Sequence, residues 1–453
     1  MEGDLRLNDK VLDYYFHEYA MPQPHTIYQG IYQLEPASYK VIDTCKASTK
    51  STQVYWKLDP SVNTHLDEKE ALMETERLLK NSISKRMVSD VPLGFFLSGG
   101  IDSGLNVALA SEISTKKIKT FSVGFSDDHS DELAQAKLLS TKFGTDHHEI
   151  RINPDIQKIA KEITAYVGEP FADYSLIPNA LICEALRSKA TVAISGDGGD
   201  ELFGGYRHFL SLYQARYMLK KYGRQLAQLK VISSKPLSRI LPSIVDNLGS
   251  IQGHLKIKSD DEILIRSIRN INSKNIYHHQ FSVDSSFKYD YLSQFGKTKN
   301  DDIHTVQQML SLRTLLLNDY LVKVDRASMY NSLEVRSPFL DHHLAEFAFT
   351  IPNDLKFKGM NSKYLLRKLA TNKFGRNVMK EPKKGFVIPM QHWLRKQLKP
   401  WVTSMLLDSF ANRQIIDPSI ISVVLNEHMD KGIDHGDFIW KMVALEIWFQ
   451  ECN

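Results

Sequence analysis

The chain has three cysteines in 453 residues, Cys45, Cys183 and Cys452, an odd number with no CxxC pair. This excludes a disulfide framework and a cysteine-rich zinc site and fits a reducing cytoplasm. No apolar run approaches the ~18 residues of a membrane span, and the N-terminal MEGDLRLNDK has no apolar signal core, so neither membrane insertion nor secretion is supported. Charge of one sign is also scarce: 57 Lys and Arg against 53 Asp and Glu give a net charge of +4. The basic residues are scattered among acids, so there is no stripe for nucleic acid. No tract is dominated by Gly, Pro or Ser, no short repeat occurs, and the Walker A pattern GxxxxGK[ST] is missing. What is there, 42% hydrophobic and 24% charged residues, is the composition of a folded soluble protein, long enough for two to three domains at ~150 residues each.

Residues 1 to about 60 read as an aromatic-rich piece of strand and turn, with IYQGIYQL and SYKVID each bounded by Gly or Pro. From Thr64 a long amphipathic helix is expected, because Leu72, Leu79, Ile83 and Met87 recur at spacings of four or seven. Strand and helix patterns then alternate: LGFFL, SGLNVALASEIS, IKTFSVGF, DELAQAKLLSTKF, HHEIRI, helices through LIPNALICEALRSK, and TVAIS. Such alternation predicts βαβ units and a doubly wound parallel sheet, with ligands at the C-terminal strand ends. The strand signal fades beyond Tyr206, where a basic stretch leads into a mainly helical C-terminal third. The expected divisions are 1–60 and then 61–453, made of an α/β core at 61–210, a helical insertion at 211–300 and a helical part at 301–453.

Two glycine loops sit at strand ends, LSGGIDSG (Leu97 to Gly104) after LGFFL and SGDGGDELFGGY (Ser195 to Tyr206) after TVAIS. A strand that ends in Ser-Gly-Gly and turns into a helix offers backbone N–H groups beside the positive end of the helix dipole, and the missing Cβ atoms let a polyanion approach. This is a phosphate cradle, to which Ser98 and Ser103 add hydroxyls around Gly99 and Gly100. Asp102 would repel a phosphate unless a cation lay between them, which points to Mg²⁺ held by a few hard oxygens. His147/His148 and His342/His343 lack a third ligand at zinc-like spacing and read as capping or packing residues.

SGGIDS resembles the loop of the ATP pyrophosphatases, which cleave ATP between its α and β phosphates and adenylate a substrate. The second loop is similar to the hallmark of the asparagine synthetase branch, as are DYLVKVDRASM (Asp319 to Met329), SLEVRSPFLD (Ser332 to Asp341) and PKKGFVIPMQHWL (Pro382 to Leu394). The resemblance covers nearly everything after residue 60. It implies an α/β fold of the adenine nucleotide α-hydrolase type with a mainly helical C-terminal portion, and ATP and Mg²⁺ as cofactors.

The resemblance also implies roles. Asp102 and Asp200 become Mg²⁺ ligands, one from each loop. Lys383 contacts the α-phosphate oxygens during adenylation, with Lys384 its nearest competitor. Asp197 stands where related synthetases carry a Glu that assists acyl-adenylate formation or ammonia attack, one methylene shorter here. Glu334 matches an acid near the reacting centre, balanced against a bland reading as a helix-end acid paired with Arg336 or Arg326. Phe96 and Val123 border the adenine through their main chain, and Ser195 and Gly196 approach the ribose and phosphates. EPFADYSLIP (Glu169 to Pro178) resembles the border of the acceptor pocket, with Asp173 and Ser175 as its polar groups.

The expected reaction is aspartate, ATP and ammonia to asparagine, AMP and pyrophosphate through a β-aspartyl-adenylate. Glutamine-dependent relatives begin with an amidohydrolase domain whose nucleophile is a cysteine at the mature N-terminus. Here residue 2 is Glu2, and EYAMPQPHTIYQGIYQLEPASY reads like the family's connecting segment. A separate glutaminase is therefore a candidate partner, and a homodimer is compatible with the sequence. The rival readings are another amide-forming ligase on this scaffold (a β-lactam synthetase, a peptide cyclase or a polysaccharide amidating enzyme), a non-catalytic ATP-binding module, and a tRNA-modifying pyrophosphatase.

Overall fold

Five short segments, β-rich or apolar, assemble into one sheet: β1 (Leu93–Phe96), β2 (Lys119–Phe125), β3 (Asp146–Ile152), β4 (Val192–Ile194) and β5 (Glu334–Arg336). All four ladders are parallel, and the spatial order is β3-β2-β1-β4-β5. The structure is a computed structural model that describes residues 5–45, 48–63, 65–125, 132–152, 155–214, 217, 302–375 and 390–452. Its architecture is the α/β parallel sheet with many helices that the strand and helix alternation predicts. From β1 the chain winds outward to β3 and then returns to β4 on the other side of β1, so the winding direction reverses between β1 and β4. A crevice opens at such a reversal beyond the C-terminal strand ends, and both glycine loops follow these two strands.

Helix α2 (Glu68–Arg86) begins four residues after Thr64, where Asp67 and Glu70 form a reciprocal capping box. It packs on α3 (Ile101–Ile113), whose residues Asp102 to Ala110 are all buried. One core gathers Leu79 and Ile83 of α2, Phe95 and Leu97 at β1, Leu105 and Leu109 of α3, and Leu365 and Leu369 of a later helix.

The N-terminal piece differs from the strand-and-turn expectation. Its aromatic residues suggest strand, yet DKVLDYYFHE forms helix α1 (Asp9–Glu18) because Val11, Leu12, Tyr15 and Phe16 share one face and bury it. The helix is clamped to the C-terminal helix Gly436–Cys452: the Tyr15 hydroxyl donates to the Lys441 carbonyl at 2.8 Å, and Lys441 Nζ donates to the Phe16 carbonyl at 2.8 Å. Among the described residues of 38–54 the strands form two-residue antiparallel ribbons. The helical insertion expected at 211–300 falls almost entirely outside the described residues.

Downstream, α4 (Ile303–Ser311) runs through a π-helical stretch, Leu312–Tyr320, into α5 (Leu321–Tyr330). The wider winding, a feature common at functional sites, belongs to the segment that puts Leu316 and Tyr320 into the wall of the cavity described next.

Candidate active site

A cavity of about 350 Å³ lies in the crevice between β1 and β4. Phe96, Leu97, Ser98, Gly100, Asp102 and Ser103 line it from the first loop, Ser122 and Val123 from β2, and Ser195, Gly196, Asp197, Gly198 and Asp200 from the second loop. Its far wall is mostly apolar, built by Ile182, Cys183, Leu316, Tyr320, Val324 and Val335, with Asn179, Glu201 and Tyr206 as polar groups. Burial pushes the Cys183 thiol up to about 12, so it stands in this wall as a thiol and not as a nucleophile.

The first loop is shaped from inside. Gly99 adopts a positive φ of 74°, and a Cβ there would lie 2.8 Å from Gln135 Cβ. Gly99 itself is set back from the cavity, turning the chain so that Gly100 can open α3. The Ser98 and Ser103 hydroxyls lie 3.1 Å apart across the turn, and Ser103 Oγ also accepts from the Ser98 N–H at 3.3 Å.

The two loops touch. A Cβ on Gly196 would lie 3.0 Å from Asp102 Cβ, and one on Gly199 would lie 2.6 Å from Asp102 Oδ1. Glycine is required at both because the second loop rests directly on the Asp102 side chain. Asn106 of α3 ties them further by donating to the Ser195 carbonyl at 2.7 Å. The Ser195 hydroxyl donates to Asp197 Oδ2 at 2.7 Å and lies 2.8 Å from the Ser337 hydroxyl.

Asp102 and Asp200 meet at Lys363. Its Nζ is 2.5 Å from Asp102 Oδ2 and 2.6 Å from Asp200 Oδ1, so these two oxygens are separated by at most the sum of those distances, about 5 Å. The cation that joins the two carboxylates in this structure is the Lys363 ammonium. The other oxygen of Asp102, Oδ1, is buried without a hydrogen-bond partner among the described residues. An orphaned, buried carboxylate oxygen beside a second carboxylate fits a hard divalent cation. Two protein carboxylates, with substrate phosphates completing the shell, are what Mg²⁺ usually takes. Arg367 stands behind the pair: burial lowers its guanidinium, and Asp102 and Asp200 oppose that shift.

Glu201 is buried beside Asp200 and accepts a short hydrogen bond from the Tyr206 hydroxyl. Burial raises its carboxyl to about 7 against the opposing Tyr206 bond.

Several expected residues stand elsewhere. Asp173 and Ser175 are not among the cavity-lining residues; Asp173 pairs with Lys323 Nζ at 2.8 Å and accepts from both the N–H and the hydroxyl of Ser175, at 2.9 and 2.7 Å. Burial alone would raise Asp173, but Lys323 and the Ser175 bonds hold it well below the usual carboxylate range. Glu334 is on the edge strand β5, more than half exposed, and pairs with Arg336 at 2.6 Å. Neighbouring side chains on a strand face opposite ways, and it is Val335 that reaches the cavity. Lys383 and Lys384 lie outside the described residues. His147 sits 2.9 Å from the Thr120 hydroxyl and His148 stacks on Phe121 at 5.1 Å. Among the described residues no group of three or more His, Cys, Asp or Glu side chains is placed to hold a metal.

Lys363 is the residue that sequence reasoning missed. NSKYLLRKL carries no glycine loop; Lys363 has a left-handed backbone (φ 51°) just before the helix Tyr364–Phe374, and its side chain reaches Asp102 and Asp200. Lys363 and Asp102 are 261 residues apart in sequence, a separation that leaves no local signal.

The sequence model described as asparagine synthase matches residues 74–450. Among curated relatives, asparagine synthetase [glutamine-hydrolyzing] 1 of Bacillus subtilis is 29% identical over 99% of this chain and 69% of its own length. A putative asparagine synthetase [glutamine-hydrolyzing] 2 of Methanocaldococcus jannaschii is 32% identical over 71% of this chain and 61% of its own. The amidase chyE of Penicillium rubens is 24% identical over 85% of this chain and 63% of its own.

Proposed function

The chain belongs to the asparagine synthase family, and on that premise we propose that it is an AMP-forming ligase that joins ammonia to the side-chain carboxylate of aspartate. The observation that supports the reading is the convergence of Asp102 and Asp200, one from each glycine loop, on the ammonium of Lys363 at the reversal point of the sheet. A βγ-hydrolysing kinase-like site is less well supported, since the cradle is an SGG turn without a Walker lysine.

In this reading the adenine lies along β1 and β2, against Phe96 and Val123, and the triphosphate lies over Ser98, Gly100 and Ser103. Asp102 and Asp200 would hold Mg²⁺, which neutralises phosphate charge when bound. An aspartate β-carboxylate oxygen attacks the α-phosphorus, the bond to the β-phosphate breaks, and pyrophosphate leaves. Ammonia then attacks the acyl carbon, its surplus proton passes to a nearby base, and AMP departs with the carboxylate oxygen. Asp197, held by the Ser195 hydroxyl, is assigned as the acid that serves the acyl-transfer step. Lys363 is assigned to the phosphates once the metal neutralises its two carboxylates, and Lys383 to the α-phosphate oxygens. A separate glutaminase is the proposed ammonia source, and the cytoplasm the proposed location.

A second reading keeps the chemistry and changes the acceptor. The apolar far wall of Ile182, Leu316, Tyr320 and Val324, together with the engagement of Asp173 by Lys323, is the observation that favours a different acceptor. Aspartate-dependent exchange of labelled pyrophosphate into ATP, without ammonia, tests the first reading; exchange that responds to a bulkier carboxylic acid and not to aspartate supports the second. Formation of ADP and phosphate contradicts both.

A further inference from the structure

Helix α6 (Gly199–Phe203), which carries Asp200, is five residues long and ends inside the protein. Its last carbonyls therefore need partners from outside the helix. The Asp200 carbonyl accepts from the Gly205 N–H at 2.7 Å. The next two are taken by one side chain: Gln308 Nε2, on α4, donates to the Glu201 carbonyl at 2.9 Å and to the Leu202 carbonyl at 3.2 Å. Gln308 is fully buried, and its amide is useful there only in one orientation. Rotated by half a turn, it would aim its oxygen at two carbonyl oxygens.

Lys356 sets that orientation. Its Nζ donates to Gln308 Oε1 at 2.9 Å, and a lysine nitrogen bonded this way presents N–H donors, so the amide oxygen is held on its side. Lys356 is 2% exposed, its nitrogen lies 5.1 Å from the centre of the Phe349 ring, and among the described residues no carboxylate is within ion-pair distance. A buried lysine with no carboxylate in contact, supported only by the more distant charge of Asp302, is costly to maintain, and the mechanism above gives it no role. Burial lowers its ammonium to about 7; the neutral amine keeps N–H donors, so the link to Gln308 survives in either form.

We propose that Lys356 is a positioning residue that acts through Gln308 to cap α6 and so holds Asp200 in register with Asp102 and Lys363. The proposal rests on the assignment of that carboxylate pair to Mg-ATP. It predicts that damage to the Lys356–Gln308 link is felt in nucleotide binding and not in acceptor binding.

The test compares the full chain with Lys356→Met and Gln308→Glu. Methionine keeps the length of the lysine stem but has no N–H. Glutamate still accepts from Lys356 but cannot donate to the two helix carbonyls. Equilibrium binding of Mg-ATP should weaken about tenfold in both variants, with KM for Mg-ATP rising in step. KM for the carboxylic acceptor should change less than twofold. Variants that stay folded and bind Mg-ATP like the wild type overturn the proposal, as does an equal loss toward nucleotide and acceptor. Where Lys356→Met does not fold, Gln308→Glu, whose pair with Lys356 keeps the buried charge partnered, decides by the same criteria. A wild-type chain that binds no Mg-ATP contradicts the site assignment itself, an outcome distinct from equal binding by wild type and variants.

Discussion

Lys363 Nζ lies 2.5 Å from Asp102 and 2.6 Å from Asp200, so one ammonium joins the carboxylates of two loops that the sheet brings together from opposite sides of its reversal point. Without it, two largely buried like charges would face each other. Lys363→Met should lower the stability of the ligand-free protein by about 3 kcal/mol, the low end for breaking a buried pair because Asp200 is a quarter exposed. Mg²⁺ alone should then raise the variant's Tm more than the wild type's, since the ion replaces the missing cation. Thermal melts with and without Mg²⁺ check this; a variant whose Tm ignores Mg²⁺ contradicts the placement of the metal.

Gly205 is packed so closely under this pair that an added Cβ would run into Asp200 Oδ1 and Lys363 Cε. Gly205→Ala should therefore displace the carboxylate–ammonium pair and reduce pyrophosphate release by about 10²-fold, the cost of misplacing a reacting group by roughly 1 Å. The stability loss should stay at about 1–3 kcal/mol, as for other overpacked sites. Steady-state kinetics beside a denaturant titration separate the two effects.

The Asp173–Lys323 pair predicts a pH signature away from the metal site. Asp173 is held below its ordinary 3.8, so its contribution to stability is fully present above that value and is lost as pH falls below it. In Lys323→Met the buried carboxylate has no cation, its affinity for a proton rises, and stability is lost as pH climbs through its raised value. The variant should be about 3–5 kcal/mol less stable than wild type at pH 7, with the gap narrowing toward pH 4. Urea unfolding at both pH values measures it; a gap independent of pH removes the pair from the account.

Much of the fold was legible because its signals are local. LGFFL and TVAIS announce strands by composition, the glycines after them announce turns, and the preference for right-handed crossovers makes the parallel sheet the natural assembly. The meeting of SGGIDS with SGDGG followed from that topology alone. Helix α1 was not legible, because its aromatic residues favour strand and only burial against the C-terminal helix decides for helix. Glu334 shows the limit of a motif: SLEVRSPFLD brings its segment to the cavity, but the two-residue period of the strand gives the inward place to Val335 and leaves Glu334 with Arg336. Lys363 and Gln308 were invisible for a different reason. Each acts on loops far away in sequence, through geometry that no local pattern encodes.

The most direct measurement follows oxygen. Aspartate carrying ¹⁸O in its side-chain carboxylate, incubated with ATP, Mg²⁺ and ammonium, should transfer one labelled oxygen to AMP as asparagine forms, because the carboxylate attacks the α-phosphorus. Label recovered in inorganic phosphate alongside ADP, or asparagine formed with unlabelled AMP, would contradict the account.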